Sequence, residues 1–74
     1  MKNCFINIGL GNFVSADRIT AICNPDSAPI RRDMNTLRIS GHLRDCTKGR
    51  KTRSLIYLDD GSAVQSTISP ENIA

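Results

Sequence analysis

The sequence lacks the long apolar runs that insert into membranes or direct secretion. Its longest apolar run covers only residues 55–58, whereas a membrane span needs about 20 residues. The first fifteen residues are interrupted by asparagines and glycines, so they contain no apolar core typical of a signal peptide. The sequence therefore predicts a cytoplasmic protein without a membrane partner.

Cysteine and histidine are too few and too widely spaced for a disulfide framework or a metal site. Cys4, Cys23 and Cys46 are an odd number of cysteines, and His42 is the single histidine. The chain has no CxxC or HxxxH pair, which are the spacings typical of zinc ligands. We therefore expect no cofactor, and we interpret the cysteines as small apolar residues of strands.

The chain is also short, with 74 residues, which predicts a single domain over residues 1–74. This length is too small for a barrel or a dinucleotide-binding fold. A domain of this size buries only about 60% of the surface of its unfolded chain, so small domains add disulfides, a metal or self-association. With the first two disfavoured, self-association into a homo-oligomer is the prediction that remains.

Positive charge is concentrated in one third of the chain. Residues 29–53 hold eight Lys and Arg residues against two Asp residues, or +6, whereas the other residues sum to −3. A charge distribution of this kind favours a polyanionic partner, with nucleic acid before an anionic membrane surface. The densest part is residues 48–53, which carry four cations and which we call the basic loop.

The apolar patterning predicts an α+β fold with a mostly antiparallel sheet. Five segments have the alternation or the β-branched content of strands, at residues 5–8, 13–23, 43–47, 52–58 and 63–68. Glycine-containing turns are expected at residues 9–12 and 59–62, and a last helical turn is expected from Ser69. The expected order is β-β-α-β-β-β.

One main helix is predicted over about residues 27–40. Ser27 is a favoured N-cap residue, Pro29 suits the first turn, and Gly41 suits the position after the last turn. Apolar residues recur on one narrow stripe, at Ile30, Met34 and Leu37. Because this stripe is narrow, we expect the helix to depend on docking against the sheet.

No group of residues has the pattern of an active site. Asp59 and Asp60 precede Gly61 and are typical of a hairpin turn. The Gly9-Leu10-Gly11 segment lacks the third glycine of a dinucleotide-binding loop. No serine or cysteine has an evident base partner. We therefore predict that the protein is not an enzyme and has no small-molecule substrate.

The basic loop is predicted to be a hairpin-like projection with Gly49 at its tip. Flexible cations on such a projection can follow a phosphate backbone or enter a minor groove, and the hydroxyls of Thr47 and Thr52 can donate to phosphate oxygens. Arg53, at the base of the loop, suits a bidentate phosphate contact. The chain has only three aromatic residues, so a stacking platform for single strands is absent. Duplex nucleic acid is therefore favoured over single-stranded RNA.

Four segments with consistent spacing resemble a known family, namely residues 7–19 (NIGLGNFVSADRI), 25–32 (PDSAPIRR), 47–53 (TKGRKTR) and 69–73 (SPENI). Through them the sequence resembles the RemA-like family of extracellular matrix regulatory proteins over nearly its whole length. Members are small bacterial DNA-binding proteins that activate biofilm-matrix genes and are thought to form rings that present arginines to duplex DNA. The family commonly has an aromatic residue and an arginine where this chain has Lys48 and Lys51, and lysine lacks the bidentate fork of arginine.

These observations together predict an oligomeric regulator of transcription that contacts the phosphates of duplex DNA. We expect most of the binding energy at Arg50, Lys51 and Arg53. Secondary contacts are expected at Lys48, Arg31, Arg32 and, from the resemblance alone, Arg18. Two alternatives stay open: a structural or protein-interaction module that binds an acidic partner, and an RNA-binding regulator of translation.

Overall fold

The computed structural model describes residues 4–73, and these residues form six strands and two helices. The strands are β1 (Phe5–Gly9), β2 (Asn12–Ser15), β3 (Ile19–Cys23), β4 (Leu43–Asp45), β5 (Ser54–Leu58) and β6 (Ala63–Ser66). The helices are α1 (Ala28–Ser40) and α2 (Pro70–Ile73). The predicted α+β class is confirmed, as are the main helix and the last helical turn.

The apolar region at residues 13–23 forms two strands, so the order is β-β-β-α-β-β-β. β2 pairs with β1 in a two-stranded antiparallel ribbon, and β3 joins a different sheet. Between them the polar residues Ala16–Arg18 form a 3₁₀ turn that redirects the chain. The backbone N–H of Ala16 donates to the carbonyl of Cys4 at 2.7 Å, which closes the end of the ribbon before the chain leaves it.

The second sheet has the strand order β3-β5-β6-β4, with antiparallel β3–β5 and β5–β6 pairs and a parallel β4–β6 pair. The expected turn at residues 59–62 joins β5 to β6, where the N–H of Gly61 donates to the carbonyl of Leu58. The basic loop is not the predicted hairpin, because β6 lies between the strands it connects. The loop instead arches over the end of β6, across about 10 Å, which is two interstrand spacings.

The core lies between the ribbon and the four-stranded sheet. Its buried cluster consists of Ile8, Ile56, Val64 and Ile73, so β1, β5, β6 and α2 each contribute one side chain. The hydroxyl of Ser66 donates to the carbonyl of Ile8 at 2.7 Å and fixes the ribbon on the sheet. Gly9 follows with φ of 101°, and a Cβ there would clash with Thr67 Oγ1. This close approach requires glycine.

The helix α1 begins and ends with the predicted caps. The Ser27 hydroxyl accepts from the N–H of Ile30 at 3.4 Å, and Gly41 has a left-handed φ of 81°. The expected docking of the helix is only partly found, because none of its residues is buried in the single chain. The side chain of Tyr57 reaches from β5 to the helix and donates to Asp33 Oδ2 at 2.7 Å. The three stripe residues are too few to cover the helix face.

Candidate nucleic-acid interface

A turn around Asp45 fixes the first end of the basic loop. The Asp45 carboxylate accepts hydrogen bonds from the hydroxyl of Thr47 and from its backbone N–H, the latter at 2.9 Å. Because the hydroxyl bond first, and the N–H bond second, stabilise the ionised carboxylate, they lower the pKa of Asp45 below its ordinary value. Thr47 is only 2% exposed. The prediction that its hydroxyl donates to phosphate is therefore wrong, since Thr47 is an anchor of the loop.

Two hydrogen bonds to β6 fix the second end of the loop. The N–H of Arg53 donates to the carbonyl of Ser66 at 2.8 Å, and the side-chain amide of Gln65 donates to Thr52 Oγ1 at 2.8 Å. Gln65 and Ser66 are themselves buried. The hydroxyl of Thr52 accepts this bond and keeps its own proton for another acceptor. The second end of the arch therefore rests on β6, all of whose residues are buried, and the first end rests on the turn that follows β4.

The tip of the loop displays its cations to solvent. Lys48 and Gly49 both have left-handed backbone conformations, with φ of 53° and 83°, and the N–H of Arg50 donates to the carbonyl of Thr47 at 3.0 Å. A positive φ is uncommon for lysine, and the anchored Thr47 beside it holds the turn. The four basic residues of the loop are all exposed, at Lys48, Arg50, Lys51 and Arg53.

No cation of the basic loop forms an ion pair with a carboxylate within residues 4–73. Within residues 4–73 there are two ion pairs, which join Arg18 to Asp59 at 2.6 Å and Arg31 to Asp26 at 3.9 Å. Neither pair includes a cation of the basic loop. Four like charges on a short, anchored arch repel each other, and an external anion relieves that repulsion. This arrangement suits binding to a polyanion.

Arg18 lies apart from the basic loop. It ends the 3₁₀ turn, and its guanidinium donates to Asp59 on the β5–β6 turn. The hydrogen bond and the charge of Asp59 both raise the pKa of Arg18, which therefore stays charged. A neighbouring hydrogen bond, from the Asp59 N–H to the Arg18 carbonyl at 2.8 Å, ties the two turns together. An anion that binds Arg18 must therefore compete with an existing partner.

Arg18 also lines an open cleft of about 410 Å³ between the ribbon and the four-stranded sheet. Arg44 of β4 lines the same cleft, whereas no cation of the basic loop does. Arg44 was not predicted as a site residue, because its place in this cleft depends on the parallel β4–β6 pairing and leaves no local signal. Arg18 and the cations of the basic loop thus do not share a cleft.

Arg31 and Arg32 are exposed on the first turns of α1. Asp26 forms an ion pair with Arg31. Asp26 also lines a smaller cleft together with Lys51 and Arg53 of the basic loop. Neither Asp26 nor Glu71, which both line this cleft, was predicted as a site residue. Arg32 makes no ion pair within residues 4–73.

The thiols of Cys4, Cys23 and Cys46 are free. Over residues 4–73, no three His, Cys, Asp or Glu side chains are grouped in the manner of metal ligands. Neither helix in this part of the chain has the length and apolar character needed to cross a membrane.

The fold and the basic loop define a small α+β domain with an exposed cationic surface, and comparison with known proteins places it among regulatory proteins. Provisionally named regulatory proteins of Bacillus cytotoxicus, Bacillus mycoides and Bacillus anthracis are each 56% identical over 70 residues, which is 95% of this chain and 80% of each relative. The family model "Extracellular matrix regulatory protein A-like" matches residues 5–74. The chain therefore belongs to the RemA-like family.

Proposed function

We propose that this protein is a DNA-binding regulator of transcription that contacts duplex phosphates through the basic loop. The observation that carries the proposal is the set of four exposed loop cations without an ion pair in residues 4–73, held on an arch whose two ends are hydrogen-bonded. Anchoring reduces the entropy lost when the side chains meet phosphate. Because phosphate contacts carry little sequence information, groove shape adds to the recognition. The family name supports extracellular matrix genes as the targets.

A single domain offers only about four to six phosphate contacts, which gives modest and salt-sensitive affinity. Repetition of the loop in a homo-oligomer raises the affinity by avidity without new chemistry. We therefore include self-association in the proposal. It is supported by apolar side chains that the single chain leaves uncovered, since Phe5 is 68%, Phe13 58% and Ile39 83% exposed. Phe5 and Phe13 lie on the same face of the ribbon, as diagonal neighbours across β1 and β2.

The double variant Arg50→Ala/Lys51→Ala tests the proposal. We expect weaker binding to a duplex of about 30 to 60 base pairs, and a slope of log affinity against log salt that falls by about 2 per bound subunit. The measurement is fluorescence anisotropy over a salt series, with circular dichroism as the check on folding. Arg50→Lys/Lys51→Arg keeps the charge and should keep the salt slope.

Arg38→Ala removes one positive charge outside the predicted contact set and outside both clefts, and it serves as the control when losses of affinity are compared per charge removed. The proposal fails if the loop variant and this control lose affinity equally per charge removed, or if the loop variant keeps the wild-type slope. A competition assay adds a second criterion. Stronger displacement by RNA than by duplex DNA, or retention on heparin without any dependence on DNA length, favours the RNA-binding or the protein-binding alternative.

A further inference from the structure

A small polar cleft lies beside the second half of the basic loop. It measures about 180 Å³ and is walled by the basic loop, the turn at residues 24–26 and the start of α2. Pockets for whole ligands usually measure about 300 to 1,000 Å³, so this cleft suits one small polar group. Lys51 and Arg53 face it from the loop side, and Asp26 and Glu71 from the other walls. None of the ion pairs within residues 4–73 joins these cations to these carboxylates.

Local contacts order the backbone of the other walls of this cleft. The N–H of Asp26 donates to Asn24 Oδ1 at 2.9 Å within the turn. The α2 helix is held by Ile73, which is 8% exposed in the core, and by the carbonyl of Ser69, which accepts from the N–H of Asn72 at 3.0 Å. The cleft is therefore bounded by ordered backbone on the loop side and on the other walls.

We propose that this cleft takes one backbone phosphate of bound DNA, held by Lys51 and Arg53, and that Glu71 and Asp26 limit the negative charge it accepts. The proposal rests on the DNA binding proposed above. A phosphodiester carries one negative charge, whereas a phosphate monoester carries about 1.5 to 2 at neutral pH. The cations attract and the carboxylates repel both groups in proportion to the charge of the group, so each carboxylate reduces the advantage of the more highly charged group. The cleft therefore favours terminal or free phosphate over internal backbone phosphate less than the same cleft without Glu71 and Asp26 would.

The two carboxylates contribute unequally. Asp26 is already paired with Arg31 at 3.9 Å, so part of its charge is compensated. Glu71 has no cationic partner within residues 4–73. Neutralising Glu71 removes repulsion alone, whereas neutralising Asp26 also releases Arg31. Both changes should therefore tighten DNA binding, which is the opposite of what a merely structural role at the cleft predicts.

The test compares Glu71→Gln and Asp26→Asn with the wild type in anisotropy titrations on one duplex. One charge removed at about 8 Å changes the affinity by about threefold at low salt, so we expect a gain of that size that shrinks as salt rises. Asp33→Asn is the matched control, because it removes the same charge on α1, outside the cleft, and keeps an oxygen acceptor for Tyr57. Glu71→Asp, which keeps the charge, should bind as the wild type does.

A second arm tests the selection for charge. Inorganic phosphate is added to the bound complexes against chloride at equal ionic strength. We expect it to displace DNA from Glu71→Gln at lower concentration than from the wild type. Equal sensitivity of the two proteins overturns the charge selection.

The outcomes separate this inference from the proposed function. A wild-type protein that binds duplex DNA, with Glu71→Gln and Asp26→Asn no tighter than Asp33→Asn, overturns the inference alone. A wild-type protein that fails to bind duplex DNA overturns the proposed function and the inference together.

Discussion

The β5–β6 hairpin and the helix α1 are stabilised in opposite ways. All four residues of β6 and the first three of β5 are buried, whereas α1 has thirteen residues and none of them is buried. The hairpin forms the centre of the four-stranded sheet and is held by the packing of that sheet against the ribbon. The helix is held by its caps, by a partial apolar stripe and by the hydrogen bond from Tyr57.

This difference assigns distinct roles to the two regions. The basic loop is hydrogen-bonded to β6, whose residues are all buried. The proposed DNA contact is therefore supported by the best-packed strand of the molecule. The helix adds surface without adding core. The buried core of residues 4–73 contains six hydrophobic residues. The exposed face of the helix is therefore surface that self-association could bury.

The largest expected effect is on the stability of the hairpin side. Ile56 is completely buried in the core cluster, and Ile56→Ala should lower the free energy of unfolding by about 2 to 5 kcal/mol. A domain of this kind has only about 5 to 15 kcal/mol in total, so much of the variant should be unfolded by mild urea. Denaturation followed by circular dichroism measures the change.

Ile39→Ala is the matched variant on the helix side. Ile39 is 83% exposed, so its loss should change the stability of the single chain by less than about 0.5 kcal/mol. The same variant should lower the mass measured by light scattering if the helix face mediates self-association. Equal destabilisation by the two variants contradicts the contrast between hairpin and helix.

A smaller effect is expected at the one side-chain hydrogen bond between the two regions. Tyr57→Phe removes the hydroxyl that donates to Asp33 and should lower the free energy of unfolding by about 1 kcal/mol. Asp33→Asn keeps an acceptor and should cost less. Amide exchange along α1, measured by NMR, should rise more in Tyr57→Phe than exchange along β5, because the bond holds the helix to the sheet and not the sheet itself.

The ionisation of Tyr57 makes the stability of the folded chain depend on pH. Burial first, and the hydrogen bond and charge of Asp33 second, raise the pKa of Tyr57 above its ordinary value of 10.0. A raised folded-state pKa contributes stability that is present below pH about 10 and is lost as pH rises above it. Tyr57 is the only tyrosine and the chain has no tryptophan, so its tyrosinate absorbance reports this group alone. A tyrosinate titration of the folded protein with its midpoint at the ordinary value of 10.0 contradicts the burial of Tyr57.

The elements that were predicted correctly are those fixed by neighbours in the sequence. The helix starts one residue after the predicted boundary, because Ser27, Pro29 and Gly41 specify its ends locally. The β5–β6 hairpin follows in the same way from the Asp-Gly turn. The exposed basic loop is confirmed because its charge density excludes it from the core.

The features that sequence analysis missed depend on contacts distant in the sequence. The parallel β4–β6 pair joins residues about 20 positions apart, and it converts the expected hairpin into an arch. Asp26 and Glu71 are far apart in the sequence and line the same cleft only in the folded chain. The division of residues 13–23 into two strands has a local signal in the polar residues after Val14, and that signal was too weak to separate a break from an irregular strand.

The smallest effect is expected at the start of the helix. Ser27→Ala removes the acceptor of the Ile30 N–H and should cost about 0.5 to 1 kcal/mol, at the lower end because the bond is 3.4 Å long. Ser27→Asp keeps an acceptor and should restore the stability. Because the helix is held locally, amide exchange should rise in the first turns of α1 and stay unchanged in β5. If amide exchange rises equally in α1 and in β5, the helix and the hairpin unfold as one unit. Their stabilities then do not differ, which contradicts the contrast between the two regions.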